Sequence, residues 1–340
     1  MKVIVTGGTG YIGSHTIVDL QQNGFEVVCI DNLSRSKEYS LDGIEKITGK
    51  RPTFHYIDLC NKAATLDVIE AHQDAVGIIH FAALKSVPES VEKPLLYYHN
   101  NIDSLLNILY AVKKFKIPNF VFSSSCSVYG NADELPVTEH TPLQPAESPY
   151  AHTKQIGEEI IRNFANTDSS QHILLRYFNP IGAHPSALIG EIPIDRPNNL
   201  VPFITQTAIG KLQQLTVFGS DYETRDGSCI RDYIHVCDIA HAHTLALKFL
   251  LKKENQHAVE VFNLGTGNGV SVLEVIESFE KVSGQKLNYT IGERRSGDVI
   301  AIYADNVKAE VRLDWKCQYS LDAAMLSAWK WEQQMQQLKL

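Results

Sequence analysis

The chain of 340 residues has room for one large domain or two of ordinary size, and its apolar fraction of 44% allows a sizeable core. A formal net charge of −8 argues against a nucleic-acid-binding protein, which normally needs a surplus of lysine and arginine to neutralise phosphates. No apolar run is long enough to span a bilayer, so no membrane partner is expected. The first residues lead directly into a strand pattern and a glycine turn, without a signal-peptide layout, and we therefore expect a cytoplasmic protein.

The cysteines and histidines suggest neither a disulfide framework nor a metal site. The six cysteines are scattered without a CxxC pair, which favours free thiols in a reducing compartment. His235, His241 and His243 invite a metal interpretation. However, two histidines two residues apart on a helix point to different faces, so we expect no metal.

The first 180 residues alternate short apolar runs with helical patterns, which is typical of a parallel sheet covered by helices. Strands are predicted at residues 2–6, 26–30, 53–57, 77–80, 119–123 and 172–177, with helices between them, for example at 12–22 and 100–115. Several of these strands are rich in Val, Ile and Phe, as strands buried on both faces should be. The pattern predicts an α/β fold, a doubly wound parallel sheet of Rossmann type over residues 1–180.

The sequence pattern changes in the second half of the chain, and we predict a smaller mixed α/β domain over residues 181–340. Prolines crowd the stretch that follows Asn179, which indicates loops lining a cleft; they are Pro180, Pro185, Pro193, Pro197 and Pro202. Helices are predicted near 270–283 and 321–334. The boundary is soft, because C-terminal segments can return to the first domain.

A glycine-rich turn follows the first predicted strand in the segment VTGGTGYIG. Gly7, Gly10 and Gly13 have the spacing GxxGxxG, and Gly8 with the last two also fits GxGxxG. Glycines there permit a tight turn, approach of the backbone to a pyrophosphate and close helix packing, and the helix N-terminus attracts phosphate. An ordinary turn is the alternative, but the position between a strand and a helix favours dinucleotide binding.

Asp31 follows the second predicted strand, 18 residues after Gly13. A carboxylate about 20 residues beyond the glycine motif accepts hydrogen bonds from the adenosine ribose. It also repels a 2′-phosphate, so Asp31 favours NAD over NADP. A solvated strand-end aspartate is the alternative interpretation.

Tyr150 and Lys154 form a YxxxK motif, which places both side chains on one face of a helix. The lysine ammonium is expected to lower the pKa of the phenol and make Tyr150 a base for a sugar hydroxyl. Tyr110 begins a second copy of the motif, which we reject because it lies deep in a helix that precedes a strand. Ser125 ends the strand before the Tyr150 helix and can relay the proton, although it can also be a plain strand-end cap.

A series of motifs in register along nearly the whole chain resembles the extended short-chain dehydrogenase/reductase family, and within it the UDP-glucose 4-epimerase family. These motifs are VTGGTGYIGSH, DNLS, HFAALKSVPESVEKPLLYYHNN, FSSSCSVYG, SPYAHTK, LRYFNPIGAHPS, PNNLVPF, IRDYIHVCDIA, FNLGTG and ERRSGD. The resemblance implies inversion at C4 of a UDP-hexose through a transient 4-keto intermediate, with tightly held NAD. It also implies a homodimer.

By this resemblance the catalytic residues are Ser125, Tyr150 and Lys154. The implied cofactor-binding residues are Gly7, Gly10, Tyr11, Ile12, Gly13, Asp31, Asn32, Asp58, Leu59, Phe81, Ala82, Ala83, Lys85, Asn100, Ser123, Tyr150, Lys154 and Tyr177. The implied UDP-sugar-binding residues are Ser125, Tyr150, Asn179, Asn199, Leu200, Phe218, Arg231, Arg295 and Asp298. Arginine suits a diphosphate, because its planar guanidinium group binds two oxygens at once.

One departure from the family pattern and several rival reactions bear on the substrate. Ile302 stands where the family often has a tyrosine beside the sugar, which leaves UDP-N-acetylglucosamine open as a substrate. Nucleotide-sugar 4,6-dehydratases commonly carry an Asp-Glu pair after the strand-end hydroxyl residue, where this chain has Cys126 and Ser127. A UDP-glucuronate decarboxylase, a dehydrogenase exchanging free NAD and a silent NAD-binding protein are further alternatives.

A dimer can form through the helix at 100–115, whose apolar positions are Leu105, Leu106, Leu109 and Val112. Packing of the same side chains on the sheet is an equal alternative.

Overall fold

The chain combines a large parallel sheet with several small ones. The computed structural model describes residues 1–193, 197, 199–294 and 299–339. The strands within these residues are β1 (Lys2–Thr6), β2 (Glu26–Asp31), β3 (Thr53–Tyr56), β4 (Gly77–His80), β5 (Asn119–Ser125), β6 (Gln171–Tyr177), β7 (Asn179–Ile181), β8 (Leu215–Phe218), β9 (Ile230–Arg231), β10 (Tyr233–His235), β11 (Val259–Leu264), β12 (Val270–Ser271), β13 (Tyr289–Gly292) and β14 (Ala301–Ile302).

The helices are α1 (Tyr11–Gln22), α2 (Tyr39–Thr48), α3 (Lys62–Ala71), α4 (Val87–Glu92), α5 (Pro94–Tyr98), α6 (Ser104–Phe115), α7 (Pro149–Ala165), α8 (Leu200–Ala208), α9 (Val236–Leu251), α10 (Val272–Ser283), α11 (Val307–Leu313) and α12 (Leu321–Leu338). A π-helical turn covers His99–Asp103, and a short 3-10 helix covers Cys126–Tyr129.

Seven parallel strands form the main sheet in the order β11-β6-β5-β4-β1-β2-β3. The chain proceeds from β1 to β3 on one side and then crosses back to place β4 on the other side of β1. In a doubly wound sheet, ligands bind at the carboxyl ends of the strands where the order reverses. The sheet therefore places a binding crevice beside the ends of β1 and β4.

The core consists of two apolar layers, one on each face of the sheet. Val3 and Val5 of β1 pack with Ile17 of α1 on one face, whereas Ile4 packs with Ile108 of α6 on the other. This alternation follows from the two-residue period of a strand. Because both faces are covered, the central strands are apolar throughout, as the sequence predicts.

The second half builds a smaller core from short strands and helices. β7 pairs with β10, β9 lies between β12 and β14, and β8 pairs with β13. Ile204 of α8, Phe279 of α10 and Trp329 of α12 lie together in this core. Helix α10 begins with a capping box, in which Ser271 and Glu274 satisfy each other's backbone N–H groups.

The predicted fold class is confirmed, and each of the six predicted strands is present within two residues at either end. The predicted helix at 100–115 begins only at Ser104, because the residues before it form a π-helical turn. β11 was not predicted: residues far beyond 180 supply the edge strand beside β6. Helix α9 likewise packs on α1. The domain division at residue 180 stays a prediction.

Three of the four apolar side chains that the sequence analysis names on α6 are not free to form an interface. Leu105, Leu109 and Val112 are almost fully buried against the sheet. The expectation that they support a dimer is therefore wrong for these three, and packing within the chain accounts for their pattern.

The histidine and cysteine predictions can be compared with the structure directly. His241 lies against Asp19, whereas His243 is fully buried and contacts the Ile239 carbonyl, so the two point to different faces. Across the described part of the chain, no cluster of three or more His, Cys, Asp or Glu side chains can hold a metal. All six cysteines are free. In the same residues no helix has the length and apolarity to cross a membrane.

Candidate active site

Helix α7 carries Tyr150 and Lys154 at the carboxyl end of the main sheet. Ser148 caps the helix by accepting a hydrogen bond from the Ala151 N–H, and Pro149 occupies its first turn. Lys154 is only 4% exposed, and its Nζ donates to the Ser123 carbonyl at 2.6 Å. The same nitrogen lies 5.9 Å from the centre of the Tyr150 ring. The YxxxK pair thus faces the end of β5.

Ser125 is the last residue of β5 and meets both the helix and the next turn. Its hydroxyl oxygen accepts from the Ser127 N–H at 3.2 Å, which caps the 3-10 helix Cys126–Tyr129. Its side chain also lies near the Tyr150 hydroxyl, and a hydrogen bond from Ser125 to the phenolate would lower the pKa of Tyr150. The relay and cap interpretations of Ser125 are therefore compatible.

The pKa values of this pair are governed by burial. Burial raises the pKa of Tyr150 to about 12, although the hydrogen bond with Ser125 offsets part of the rise. Burial lowers the pKa of Lys154 to about 8, while the nearby Glu158 carboxylate acts in the opposite direction. The expectation that Lys154 leaves Tyr150 with a lowered pKa is not met, because desolvation dominates and the ammonium donates to Ser123. The phenol alone is neutral at pH 7.

The second YxxxK copy lies elsewhere. Tyr110 is on α6, is 52% exposed, and its ring carries the Lys62 ammonium at 3.7 Å. Lys114 is over the Phe115 ring instead. This placement agrees with the sequence argument that rejected it as a catalytic pair.

The glycine turn is packed so closely that side chains do not fit. A Cβ on Gly13 would lie 2.3 Å from the Gly7 carbonyl oxygen, and one on Gly7 would lie 2.7 Å from the Ala82 nitrogen. Gly10 is the N-cap of α1, and among the described side chains none caps that helix end. The N–H groups of Tyr11 and the residues after it therefore face the crevice, which suits the pyrophosphate of a dinucleotide.

Asp31 lies directly beside the glycine turn, at the end of β2. Its carboxylate accepts from the Thr9 N–H at 3.2 Å and from the Leu33 N–H at 2.9 Å. Asn32 forms a similar local turn by accepting from the Ser34 N–H at 3.0 Å. The carboxylate is thus fixed at the crevice, as a ribose-binding acid requires.

Two further groups of cofactor candidates lie along the carboxyl edge of the sheet. One group surrounds the loop after β3: the Asp58 carboxylate accepts from the Cys60 N–H at 2.9 Å, and the Cys60 thiol reaches the Asn100 carbonyl at 3.8 Å. Leu59 in the same loop is buried. In the other group, the hydroxyls of Ser123 and Tyr177 are in contact.

The loop after β4 completes this edge. The Phe81 ring is tilted against the His243 ring, with ring centres 4.6 Å apart, and the Ala82 N–H approaches the Thr6 hydroxyl at 3.5 Å. Ala83 lies in the same loop. The Ala82 contact places the β4 loop beside the end of β1, where the glycine turn begins.

The side chains of Lys85 and Asn199 both bond to the carboxylate of Glu191. The Lys85 ammonium lies 2.7 Å from Glu191 Oε1, and the Asn199 side-chain amide donates to the same oxygen at 3.0 Å. Lys85 was assigned to the cofactor and Asn199 to the UDP-sugar from sequence. Their shared partner places the side chains of Lys85 and Asn199 next to each other.

The substrate candidates extend from this junction. The Asn179 N–H donates to the Asp232 carbonyl at 2.9 Å, next to Arg231. In the β9–β14 pairing, Arg231 is the register partner of Ile302. Leu200 begins α8 behind Asn199. Arg295 and Asp298 lie outside the described residues.

Phe218 stands apart from this group. It ends β8 in the separate β8–β13 sheet and is 43% exposed. Its neighbour Gly219 bonds to the Gly292 carbonyl at 3.0 Å. An exposed ring at a strand end offers an apolar face to a base.

Sequence reasoning missed a buried ion pair beneath Ser125. Arg176 of β6 and Glu158 of α7 are 3% and 2% exposed at their side chains and bond to each other. Glu158 also accepts from the Ser124 hydroxyl at 2.6 Å. An arginine inside the apolar strand segment ILLRY was the available signal, because a buried charge needs a partner.

The position after Ser125 holds no carboxylate. Cys126 and Ser127 begin the 3-10 helix, and Cys126 packs at the edge of an apolar cluster with Phe178 and Ile302. A dehydratase-type Asp-Glu pair is therefore absent from this position, which lies within the described residues. Burial raises the pKa of the Cys126 thiol to about 12, so it is no substitute acid–base group at neutral pH.

Comparison with known proteins identifies the family. Residues 4–327 match the family described as GDP-mannose 4,6 dehydratase. The UDP-glucose 4-epimerase of Bacillus subtilis is 46% identical over 333 residues, which is 98% of this chain and 97% of the relative. UDP-glucose 4-epimerase 2 of Arabidopsis thaliana is 47% identical and covers 97% of this chain and 94% of its own length.

Comparison with solved structures leads to the same family. A UDP-glucose 4-epimerase from Stenotrophomonas maltophila, with bound NAD and formylated UDP-arabinopyranose, has a TM-score of 0.96, 43% identity and 99% coverage of both chains. That from Bifidobacterium longum, in complex with NAD+ and UDP, has a TM-score of 0.93, 42% identity and 98% coverage of both chains. The chain therefore belongs to the extended short-chain dehydrogenase/reductases, and within them to the UDP-glucose 4-epimerase family.

Proposed function

We propose that this enzyme interconverts UDP-glucose and UDP-galactose by inverting C4 through a transient 4-keto sugar, with NAD as cofactor. The observation that carries the proposal is the meeting of Ser125, Tyr150 and Lys154 at the carboxyl end of β5. Full-length similarity to UDP-glucose 4-epimerases supports it.

The described residues fit NAD. The glycine turn, whose packing excludes a Cβ at Gly7 and Gly13, would hold the pyrophosphate, and Asp31 would accept from the adenosine ribose. Tyr11 and Ile12 would contribute the free N–H groups of the helix start. The remaining cofactor residues would be Asn32, Asp58, Leu59, Phe81, Ala82, Ala83, Lys85, Asn100, Ser123 and Tyr177. Bound NAD would supply a hydride acceptor that also gives the hydride back, so the reaction would have no net redox change.

Proton transfer falls to the chain's own residues. We assign Tyr150 as the group that removes the proton of the 4-hydroxyl, and Ser125 as the relay between that hydroxyl and the phenol. Lys154 keeps a positive charge close to Tyr150 and holds the end of β5 through Ser123. Burial raises the pKa of Tyr150 to about 12, and positive charge near the ring would lower it.

The UDP-sugar would lie near Glu191, to which both the cofactor candidate Lys85 and the substrate candidate Asn199 bond. Arg231 and Arg295 would bind the diphosphate through their guanidinium groups. The other residues that we assign to this ligand are Asn179, Asn199, Leu200, Phe218 and Asp298. Residues 181–340 would thus form the substrate domain, with α9 and β11 returning to the cofactor domain 1–180.

We further propose a cytoplasmic homodimer. The free cysteines favour a reducing compartment. The exposed apolar side chains of α4 and α5, including Val91 at 62% and Leu95 at 81%, provide a surface for a second copy. Light scattering of the purified protein tests the dimer, and Leu95→Glu should shift it toward the monomer.

An NMR time course with UDP-galactose and no added nicotinamide tests the main proposal. Appearance of UDP-glucose establishes epimerisation with retained cofactor. Stoichiometric release of NADH would instead indicate a dehydrogenase that exchanges its cofactor, and absence of turnover with NAD bound would contradict the proposal.

UDP-N-acetylgalactosamine is a second candidate substrate. Ile302 is buried at the edge of the candidate site and is the register partner of Arg231, and its side chain is smaller than the tyrosine common in this position. The ratio of the two epimerisation rates in the same NMR assay decides whether the pocket admits an N-acetyl group.

A further inference from the structure

The buried ion pair beneath Ser125 joins the elements that carry the proposed catalytic residues. Glu158 is one helical turn beyond Lys154 on α7, and Arg176 is on β6. The Arg176 Nε donates to Glu158 Oε1 at 2.8 Å, and the Ser124 hydroxyl on β5 donates to the same oxygen at 2.6 Å. A single carboxylate thus fixes α7, β5 and β6 relative to one another.

The pair continues into a larger buried network. Arg176 Nη1 donates to the Tyr129 hydroxyl at 3.0 Å, and that hydroxyl donates to Asn263 of β11 at 2.6 Å. Tyr129 ends the 3-10 helix that Ser125 caps. The network therefore includes Ser124, the residue before Ser125, and Tyr129, at the end of the helix that Ser125 caps.

Burying an ion pair destabilises a protein unless all of its hydrogen-bonding groups have partners. A buried carboxylate and guanidinium lose their hydration, and a hydrophobic pair of similar volume is often equally stable. Here both charges have several hydrogen-bond partners at one end of the active strand. Its location favours a role in holding catalytic geometry rather than simple stabilisation.

We propose that Glu158, held by Arg176, is a positioning residue for the epimerase reaction: it fixes Ser125 through Ser124 and sets the electrostatic environment of Lys154. The inference rests on the proposed function. Glu158 does not touch the sugar or the cofactor; it acts through the strand end and through its charge one turn from the lysine.

The direction in which Glu158 shifts the pKa of Lys154 is defined by its charge. Burial lowers the pKa of Lys154 to about 8, and Glu158 opposes that shift. Removing the carboxylate should therefore lower the pKa of Lys154 further, so the ammonium loses its proton at lower pH. The other titratable groups facing Lys154 are Tyr150 on the same helix and His80 on β4, whose own pKa burial lowers to about 3.

Glu158→Gln tests this charge effect. We expect kcat to fall about 10- to 100-fold, the range for a small misplacement of a reacting group. We also expect the alkaline limb of the kcat–pH profile to move to lower pH, while NAD content and KM change little. Glu159→Gln is the matched control, because it makes the same change at the next, exposed position of α7.

Ser124→Ala keeps the test decisive if Glu158→Gln does not fold, since it leaves the ion pair intact. It removes the hydroxyl that Glu158 holds, so kcat should fall while the alkaline limb stays in place. Wild-type kcat and pH profile in the folded variants would overturn the positioning role even though the enzyme is an epimerase. Absence of epimerisation in the wild type would instead overturn the proposed function.

Discussion

The Nζ of Lys154 lies 2.6 Å from the carbonyl oxygen of Ser123 and donates a hydrogen bond to it. This contact ties the second turn of α7 to the carboxyl end of β5. Because Lys154 is buried, the bond is shielded from water and stronger than a surface contact. The position of Tyr150, one turn earlier, is thereby fixed relative to Ser125.

Tyr150→Phe should lower kcat by at least about 100-fold, since a positioned acid–base group contributes about 10²–10⁴ to the rate. The ring remains and the hydroxyl is lost, so NAD content and thermal stability should stay near wild type. The measurement is the NMR epimerisation rate together with the cofactor content of the purified variant.

Tyr110→Phe is the matched control, because it alters the second YxxxK copy at a half-exposed site. It should leave the rate unchanged. Full activity in Tyr150→Phe would contradict the proposed mechanism, and equal loss in both variants would point to a general effect on the fold.

Gly13→Ala should lose bound NAD and destabilise the protein. The new Cβ would lie 2.3 Å from the Gly7 carbonyl oxygen, and forced overpacking of this kind costs about 1–3 kcal/mol. The measurements are NAD released on denaturation and the thermal midpoint.

Gly10→Ala is a graded comparison, because its Cβ would be 3.2 Å from the same oxygen. A small adjustment accommodates that distance, so Gly10→Ala should retain more NAD than Gly13→Ala. The reverse order would show that the turn has a different geometry when NAD is bound.

The strands of the first half could be predicted from sequence because local patterns define them. Val3, Ile4 and Val5 are apolar in succession, which is typical of a strand buried on both faces. The glycine turn and Asp31 were likewise found by their spacing. The same local logic rejected Tyr110, which lies in α6.

The features that could not be predicted from the sequence depend on contacts between residues far apart in the chain. β11 pairs with β6, with Val259 opposite His172, and a short apolar run does not reveal a partner so far away. The Glu158–Arg176 pair was missed for the same reason. The pKa of Tyr150 was predicted with the wrong sign, because motif reasoning included the ammonium and left out desolvation.

His241→Gln should weaken the packing of α9 on α1 only at low pH. Asp19 lies 3.1 Å from His241 Nδ1 and raises the pKa of the imidazole. The stabilisation is therefore fully present below the unfolded-state pKa of about 6.5 and disappears as pH rises through the higher folded-state pKa. For a partly exposed pair we expect about 0.5 kcal/mol, measured by denaturant unfolding at about pH 6 and about pH 9.

Lys248→Gln is a suitable control at the same helix pair, because the Lys248 ammonium donates to the Asn23 side chain at 2.6 Å. Its loss should be smaller at about pH 6 than at about pH 9, opposite to His241→Gln, because removing the Lys248 ammonium also removes its repulsion of the protonated His241. A pH-independent loss in His241→Gln would show that the imidazole contributes by packing rather than by charge.

Ile302→Tyr should select against N-acetylated substrates. Ile302 is 6% exposed, packs near Phe178 and Cys126, and is paired in register with Arg231, so a larger side chain there must displace its neighbours or project into the sugar pocket. We expect epimerisation of UDP-N-acetylgalactosamine to fall about 10- to 200-fold, the range for a few kcal/mol of steric discrimination, with much less effect on UDP-galactose.

Ile302→Ala completes the argument, because it should move the same ratio in the opposite direction by enlarging the pocket. The quantity to measure is the ratio of kcat/KM for the two substrates, since a general packing defect lowers both values together and leaves the ratio unchanged. A ratio that stays constant through Ala, Ile and Tyr would contradict a role for position 302 in substrate choice. In that case another residue of the sugar pocket has to limit the space for the N-acetyl group. Cys126 is the nearest candidate, because it follows Ser125 and packs in the same cluster as Ile302.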